Sequence, residues 1–233
     1  MVFRNFKLNF TNKLDIQKNK NKNKIEIENG VRVKYNSIKV KGMNNEIFIR
    51  NNAIVKNCMI EIKGINNKLF INSEKISKVR IQIVSNDSVM SFGNKSNIKD
   101  SYINLFSNKG EVSIGDNTTF TSVSIVSEEE KNKVLIGNDC MFSYGINIRN
   151  TDSHPIYDSN GKLINQGKEI IIKDKVWIGM GVTILKGCVI EDGCIIGAQS
   201  LVNKSIDTKN SIATGIPAKI IKEGITWGRE FKN

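Results

Sequence analysis

The chain of 233 residues sets 35 Lys and Arg against 23 Asp and Glu, a formal charge of +12. That excess has two readings: a lysine- and asparagine-rich composition throughout, or an acidic partner. No helix-turn-helix, RNA-recognition or zinc-finger signature accompanies the charge, so nucleic acid is not expected as a partner. Cys58, Cys140, Cys188 and Cys194 show no CxxC spacing and no zinc pattern.

No run is long and apolar enough for an integral membrane segment, and MVFRNFKLNF lacks the apolar centre of a secretion signal. With unpaired thiols as well, the expected compartment is cytoplasmic.

In chain order, residues 1–24 read as a polar N-terminal extension. Phe3, Phe6, Leu8 and Phe10 supply a short apolar element, and KNKNKNK (Lys18 to Lys24) is a low-complexity connector. From Ile25 the segments IEI, IFI, IEI, LFI, RIQIV and VSI alternate with period two and recur every ten to fifteen residues or so. The pairs Asn44-Asn45, Asn51-Asn52 and Asn66-Asn67 fall between them, and asparagine tolerates the left-handed conformation of tight corners.

The pattern sharpens through IGDNTTF (from Ile114) and IGNDCMF (from Ile136). It then becomes regular: Ile172, Ile178, Ile184, Ile190, Ile196 and Val202 stand six apart. Four positions after each comes a further inward-type residue: Val176, Val182, Cys188, Cys194, Ser200 and Ile206. A period of six fits neither a helix nor an isolated strand. It fits a chain that turns a corner every six residues and wraps a triangular prism. At about eighteen residues per coil the body holds roughly nine or ten coils.

Two stretches break the frame: SEEEKNK (Ser127 to Lys133), and the residues after Ile148, where the count reaches His154 and resumes only at Ile172. The second predicts a protruding loop over about 155–169, the kind of place where binding and catalytic residues concentrate. The expected organisation is an extension (1–24), a solenoid (25–214) and a tail (215–233) that covers the last open edge.

IGNDCMFSYGINIRNTDSHPIYD (136–158), VWIGMGVTILKGCVIEDGCIIGAQSLV (176–202) and GIPAKIIK (215–222) resemble the hexapeptide-repeat acyltransferases. The resemblance runs over about residues 80–222, and within the family it is closest to O-acetyltransferases of surface polysaccharides, capsular and sialic-acid polymers included. It implies an all-β, left-handed parallel β-helix, acetyl-CoA as acyl donor, a glycan or sugar acceptor and a homotrimer. It implies no metal.

His154, the chain's one histidine, matches the family's catalytic histidine, a general base that takes the proton of an acceptor hydroxyl. Asp152 has two readings, orienting that imidazole or bonding its own turn. A prism interior is too narrow for an indole, so Trp177 points outward; the family places its active-site tryptophan here, beside the thioester, and subunit packing is the other reading.

The resemblance further assigns the N–H groups around Gly179 and Met180 to the oxyanion and Ala198 to a small-residue edge for the pantetheine arm, for which simple corner compactness is the alternative. Asn203, Lys204, Lys219 and Lys222 match positions that hold the donor's distal part.

No serine or cysteine has the neighbours of an activated nucleophile, which implies direct transfer within a ternary complex. Two further readings stay open: N-acetylation of a nucleotide-linked amino sugar, and a non-enzymatic β-helix scaffold. The metal-dependent enzyme built on the same coil needs three histidine ligands, which one histidine does not supply.

Overall fold

A computed structural model of the chain describes residues 12–16 and 22–230. Phe3, Phe6, Leu8, Phe10 and the first four residues of KNKNKNK lie outside the described residues.

Strands stack in parallel on three faces of a prism. Face I holds nine strands, from Lys13–Ile16 to Leu201–Val202; face II holds eight, from Lys24–Ile27 to Val189–Ile190. Face III holds ten, beginning at Arg32–Lys34 and closed by the antiparallel pair Ile212–Gly215 and Ala218–Lys222. The chain visits the faces in the order I, II, III and returns. Among the described residues there is no helix.

Alternation within each strand sends one residue inward and the next outward. On face I the inward residues form one aliphatic column: Ile38, Ile60, Ile81, Ile103, Ile125, Ile148, Ile184 and Val202 are successive register partners. All six aliphatics of the regular repeat are at most 1% exposed, as are Val176, Val182, Cys188 and Cys194. Each fully buried Ile or Val removes apolar surface worth about 1.5–3 kcal/mol. The interior also takes larger groups, for Phe120 and Phe142 are register neighbours on face III with ring centroids 4.6 Å apart and the rings tilted by 57°.

Coil length departs from the eighteen-residue expectation. Register partners on face III are 22 apart at Thr119↔Met141 and fall to 18 only at Trp177↔Ile195. The early coils are larger because their strands are longer on two faces. Face I strands run from seven residues (Ser37–Met43) down to four (Tyr102–Leu105), and face II strands such as Glu111–Ile114 have four, against the shorter Thr183–Leu185 and Val189–Ile190 in the regular repeat. The eight-stranded face II gives about eight turns, fewer than the nine or ten expected. Lys13–Ile16, within the expected extension, already adds a strand beside Ser37–Met43.

Two of the asparagine pairs, Asn44-Asn45 and Asn66-Asn67, divide their labour at the edge between faces I and II. Asn44 and Asn66 take φ of 55° and 58° and turn the corner. Asn45 and Asn67 are buried and stack: the Asn67 N–H donates to Asn45 Oδ1 at 3.1 Å, and the Asn45 N–H to Asn23 Oδ1 at 2.9 Å.

All four thiols are buried. Burial pushes Cys58 and Cys188 up to about 11 and Cys140 up to about 12, far from the thiolate that reacts. A colorimetric thiol titration in native buffer at pH 8 is therefore expected to find no rapidly reacting cysteine, and four after guanidinium unfolding. Rapid native reaction would contradict the packing.

Candidate active site

Both frame-breaking stretches leave the prism at the edge between faces I and II. Glu128 to Asn132 link Val123–Ser127 to Lys133–Ile136, and residues 150–169 link Ile146–Arg149 to Ile170–Ile172. The loop lies directly over the acidic excursion. Its tip is a hairpin closed by the Tyr157↔Leu163 bridge, with the Asp158 carboxylate accepting from the N–H groups of Asn160 and Lys162 at 2.9 Å each.

Carboxylates of the excursion anchor the loop. Glu129 accepts from Thr151 Oγ1 at 2.9 Å and from the Gly167 N–H at 2.6 Å, so it ties both loop ends. Glu128 accepts from Ser153 Oγ at 2.7 Å, and Arg149 donates to the same hydroxyl at 2.8 Å. Asp152 receives Lys186 Nζ and, at 2.9 Å, Asn165 Nδ2. The hydrogen bond from Lys186, then that from Asn165, holds its carboxyl below the ordinary carboxylate range. Asp152 therefore clasps the loop to the next coil; among the described residues its carboxylate has no hydrogen bond to the imidazole or to its own turn.

Asn165 is the hub. Its Nδ2 also donates to the His154 carbonyl at 2.9 Å, and its Oδ1 accepts from the Ile156 N–H at 2.7 Å. His154 is thus held by its backbone, while its exposed imidazole makes no hydrogen bond among the described residues. His154 lines a cleft of about 480 Å³ together with Phe106, Glu128, Glu129, Leu163 and Asn165. An exposed base left free at such a cleft is available to an incoming hydroxyl.

The other expected site residues occupy different parts of the prism. Trp177 lies on face III, pointing outward at 37% exposure while Ile178 is buried. Gly179, Met180 and Ala198 line the edge between faces III and I. They pack closely there: a Cβ on Gly179 would stand 2.7 Å from Ala198 N. The Gly179 N–H is engaged by Ile196 O at 2.8 Å, whereas the Met180 N–H has no partner among the described residues. Asn203 and Lys204 follow Leu201–Val202 on the same edge as the loop, and Lys219 and Lys222 sit on the antiparallel rim strand. Within one chain, His154 and the Trp177–Met180 group are separated by face I, whose strand Thr183–Leu185 alone spans about 10 Å.

Sequence reasoning missed Asn165, Lys186, Glu128 and Glu129 as loop supports, although SEEEKNK did announce itself as a break. It also missed what the tail does. Residues 225–229 run along the edge between faces II and III as a strap: the Ile225 N–H donates to Asn210 O, and Trp227 Nε1 to Lys175 O, both at 2.9 Å. Arg229 then donates to Asn117 O, Cys140 O and Thr119 Oγ1, each at 2.9 Å. The strap sets the Trp227 ring 6.0 Å from that of Trp177, tilted by 50°.

The family model described as bacterial transferase hexapeptide (six repeats) matches residues 169–204. A polysialic acid O-acetyltransferase of Neisseria meningitidis is 42% identical over 93 residues, 40% of this chain and 43% of that protein. One from Escherichia coli O1:K1 / APEC is 38% identical over 94 residues, 40% of this chain and 30% of that protein. The matches thus span less than half the length of these two relatives. The solved structure of the polysialic acid O-acetyltransferase OatWY is 31% identical, with a TM-score of 0.54, over 95% of this chain and 92% of that one.

The Asp152–Lys186 clasp has a defined pH dependence. A carboxyl depressed on folding adds stability above its unfolded pKa, lost as pH falls through the folded value. Lys186→Met is expected to speed proteolysis at the loop tip several-fold at pH 7. Global stability should fall by no more than about 1 kcal/mol, because the Asp152 carboxylate is solvent-exposed although Lys186 is mostly covered. Wild-type protection should persist at pH 5 and fade below about pH 4, and the variant should lack that transition. Equal cleavage of both at pH 7 would contradict the clasp.

Proposed function

This chain belongs to the hexapeptide-repeat acyltransferases, and from that membership we propose that it moves an acetyl group from acetyl-CoA to a hydroxyl of a cell-surface polysaccharide, sialic-acid-containing polymers among them. The observation that carries this reading is the free imidazole of His154 in the cleft of about 480 Å³ between the loop and the acidic excursion. The two polysialic acid O-acetyltransferases above support the acceptor class.

In the proposed step the imidazole nitrogen takes the proton of the acceptor hydroxyl as its oxygen attacks the thioester carbonyl. The new C–O bond places negative charge on the carbonyl oxygen, for which the free Met180 N–H is the better donor than the engaged Gly179 N–H. Collapse breaks the C–S bond, and the departing thiolate takes the proton back from the imidazolium. Direct transfer is favoured because every cysteine is buried and Ser153, beside His154, is committed to Glu128.

A single chain does not close this site. His154 stands on one edge while Trp177, Met180 and Ala198 stand across face I, so the proposed assembly is a cyclic trimer in which the loop edge of one copy faces the donor edge of the next. Trp177 then flanks the thioester, and Asn203, Lys204, Lys219 and Lys222 hold the distal part of the donor. The proposed compartment is the cytoplasm, where acetyl-CoA is available and thiols stay reduced.

The test is acetyl transfer followed by NMR, with acetyl-CoA and a panel of carboxylated polysaccharides. A new O-acetyl ester is expected with wild type. His154→Ala should lose at least about 10²-fold in turnover while its calorimetric affinity for coenzyme A stays within a few-fold. Undiminished turnover in that variant, or a stable acetylated protein formed with acetyl-CoA alone, would contradict the mechanism.

A further inference from the structure

The charge excess is localised. Residues 22–110 hold 16 Lys and Arg against 7 Asp and Glu, whereas residues 111–230 hold 13 against 15. A composition that merely favoured lysine would not turn slightly acidic across the coils carrying the candidate site. Within the basic coils the charges are sorted again by face. On face II they are paired, Lys24 with Glu26 at 2.8 Å, Lys68 with Glu46 at 3.5 Å and Arg50 with Glu28 at 3.7 Å.

The edge between faces III and I differs. Lys34, Lys56 and Lys99 end strands of face III in one register line, broken by Ser77, and Arg80 opens a strand of face I. All four are exposed and have no ion-pair partner among the described residues. The ion pair found at this edge joins Lys78 to Asp100 at 3.8 Å.

Large apolar side chains interleave these cations. Tyr35 and Tyr102 are each 56% exposed and Met59 is 46% exposed, and Lys56 Nζ lies 6.0 Å from the Tyr35 ring centroid. Tyr35, Asn57 and Met59 line a shallow cleft of about 540 Å³ along the same edge. Followed down the prism, the edge reaches Tyr144 and then Met180, both more than half exposed. With about 4.8 Å per coil, the line from Lys99 to Met180 covers three steps, roughly 14 Å.

We infer that this edge of the first four coils is a binding strip for an extended, carboxylate-bearing glycan, which it leads toward the acyl-transfer coils. Ammonium groups repeating along a straight edge meet carboxylates repeating along a polymer, and exposed tyrosine rings offer flat faces to sugar rings. The inference rests on the proposed acceptor class and places its recognition in a part of the fold separate from the chemistry.

Binding of the full-length protein, without acetyl-CoA, to polysialic acid, neutral dextran and double-stranded DNA tests it. Wild type should bind polysialic acid but not dextran, more weakly at 300 mM than at 50 mM salt by about tenfold. The triple variant Lys34→Gln, Lys56→Gln, Lys99→Gln should bind it about tenfold more weakly still. A control with the same loss of charge elsewhere, Lys131→Gln, Lys162→Gln, Lys209→Gln, should bind as wild type does. Acetylation of a disaccharide acceptor by the edge variant should stay within about twofold of wild type.

Equal weakening by both triples, unchanged binding by the edge triple, or preference for DNA at equal salt would overturn the strip. Polymer bound through the edge lysines without any acetyl ester forming would leave the strip standing and remove the proposed reaction.

Discussion

The backbone ladder between coils is the constraint on which everything else rests. Each coil donates to the next, as Trp177 N–H does to Cys194 O at 2.9 Å and Thr183 N–H does to Ser200 O at 3.0 Å. A parallel ladder with a filled interior leaves the chain no freedom of register, because a one-residue slip would turn every inward aliphatic outward. Position along the sequence therefore becomes position on a face or an edge. Function on such a prism is confined to what its edges carry and what its outward residues present.

The three edges have been given different tasks. The edge between faces I and II carries the loop, with Glu128 and Glu129 below it and Lys186 reaching Asp152 from the following coil. The edge between faces II and III carries the C-terminal strap, fixed by Arg229 on the Asn117 and Cys140 carbonyls. The edge between faces III and I is basic and aromatic early in the chain and lined by small residues later, where Gly179 meets Ala198. Asymmetry of this kind distinguishes the chain from a plain repeat, whose edges would be equivalent.

The regular repeat from Ile172 to Val202 was legible because six-residue spacing has one physical solution, and its aliphatics are buried as expected. The loop was legible as a break in that spacing. Coil length was not, since alternation within a strand reveals its face and not its length; face I and face II strands of four residues or more lengthened the early coils. The clasp was hidden for another reason. Lys186 stands 34 residues from Asp152 and 21 from Asn165, and only the stacking of one coil on another brings them together. Trp227 and Arg229 were equally hidden, for nothing in a tail announces which edge it will follow.

His154 and the Trp177–Met180 group stand on opposite sides of face I, so the proposed reaction needs two copies of the chain. Mixing two impaired variants measures this most directly. His154→Ala and Trp177→Ala are each expected to lose most acetyl transfer alone, yet random mixed trimers restore a cleft with both intact groups at about one interface in four. Transfer recovering toward a quarter of the wild-type rate after mixing and reassembly is the predicted result. A mixture no more active than the average of its two parents would contradict a site shared between copies.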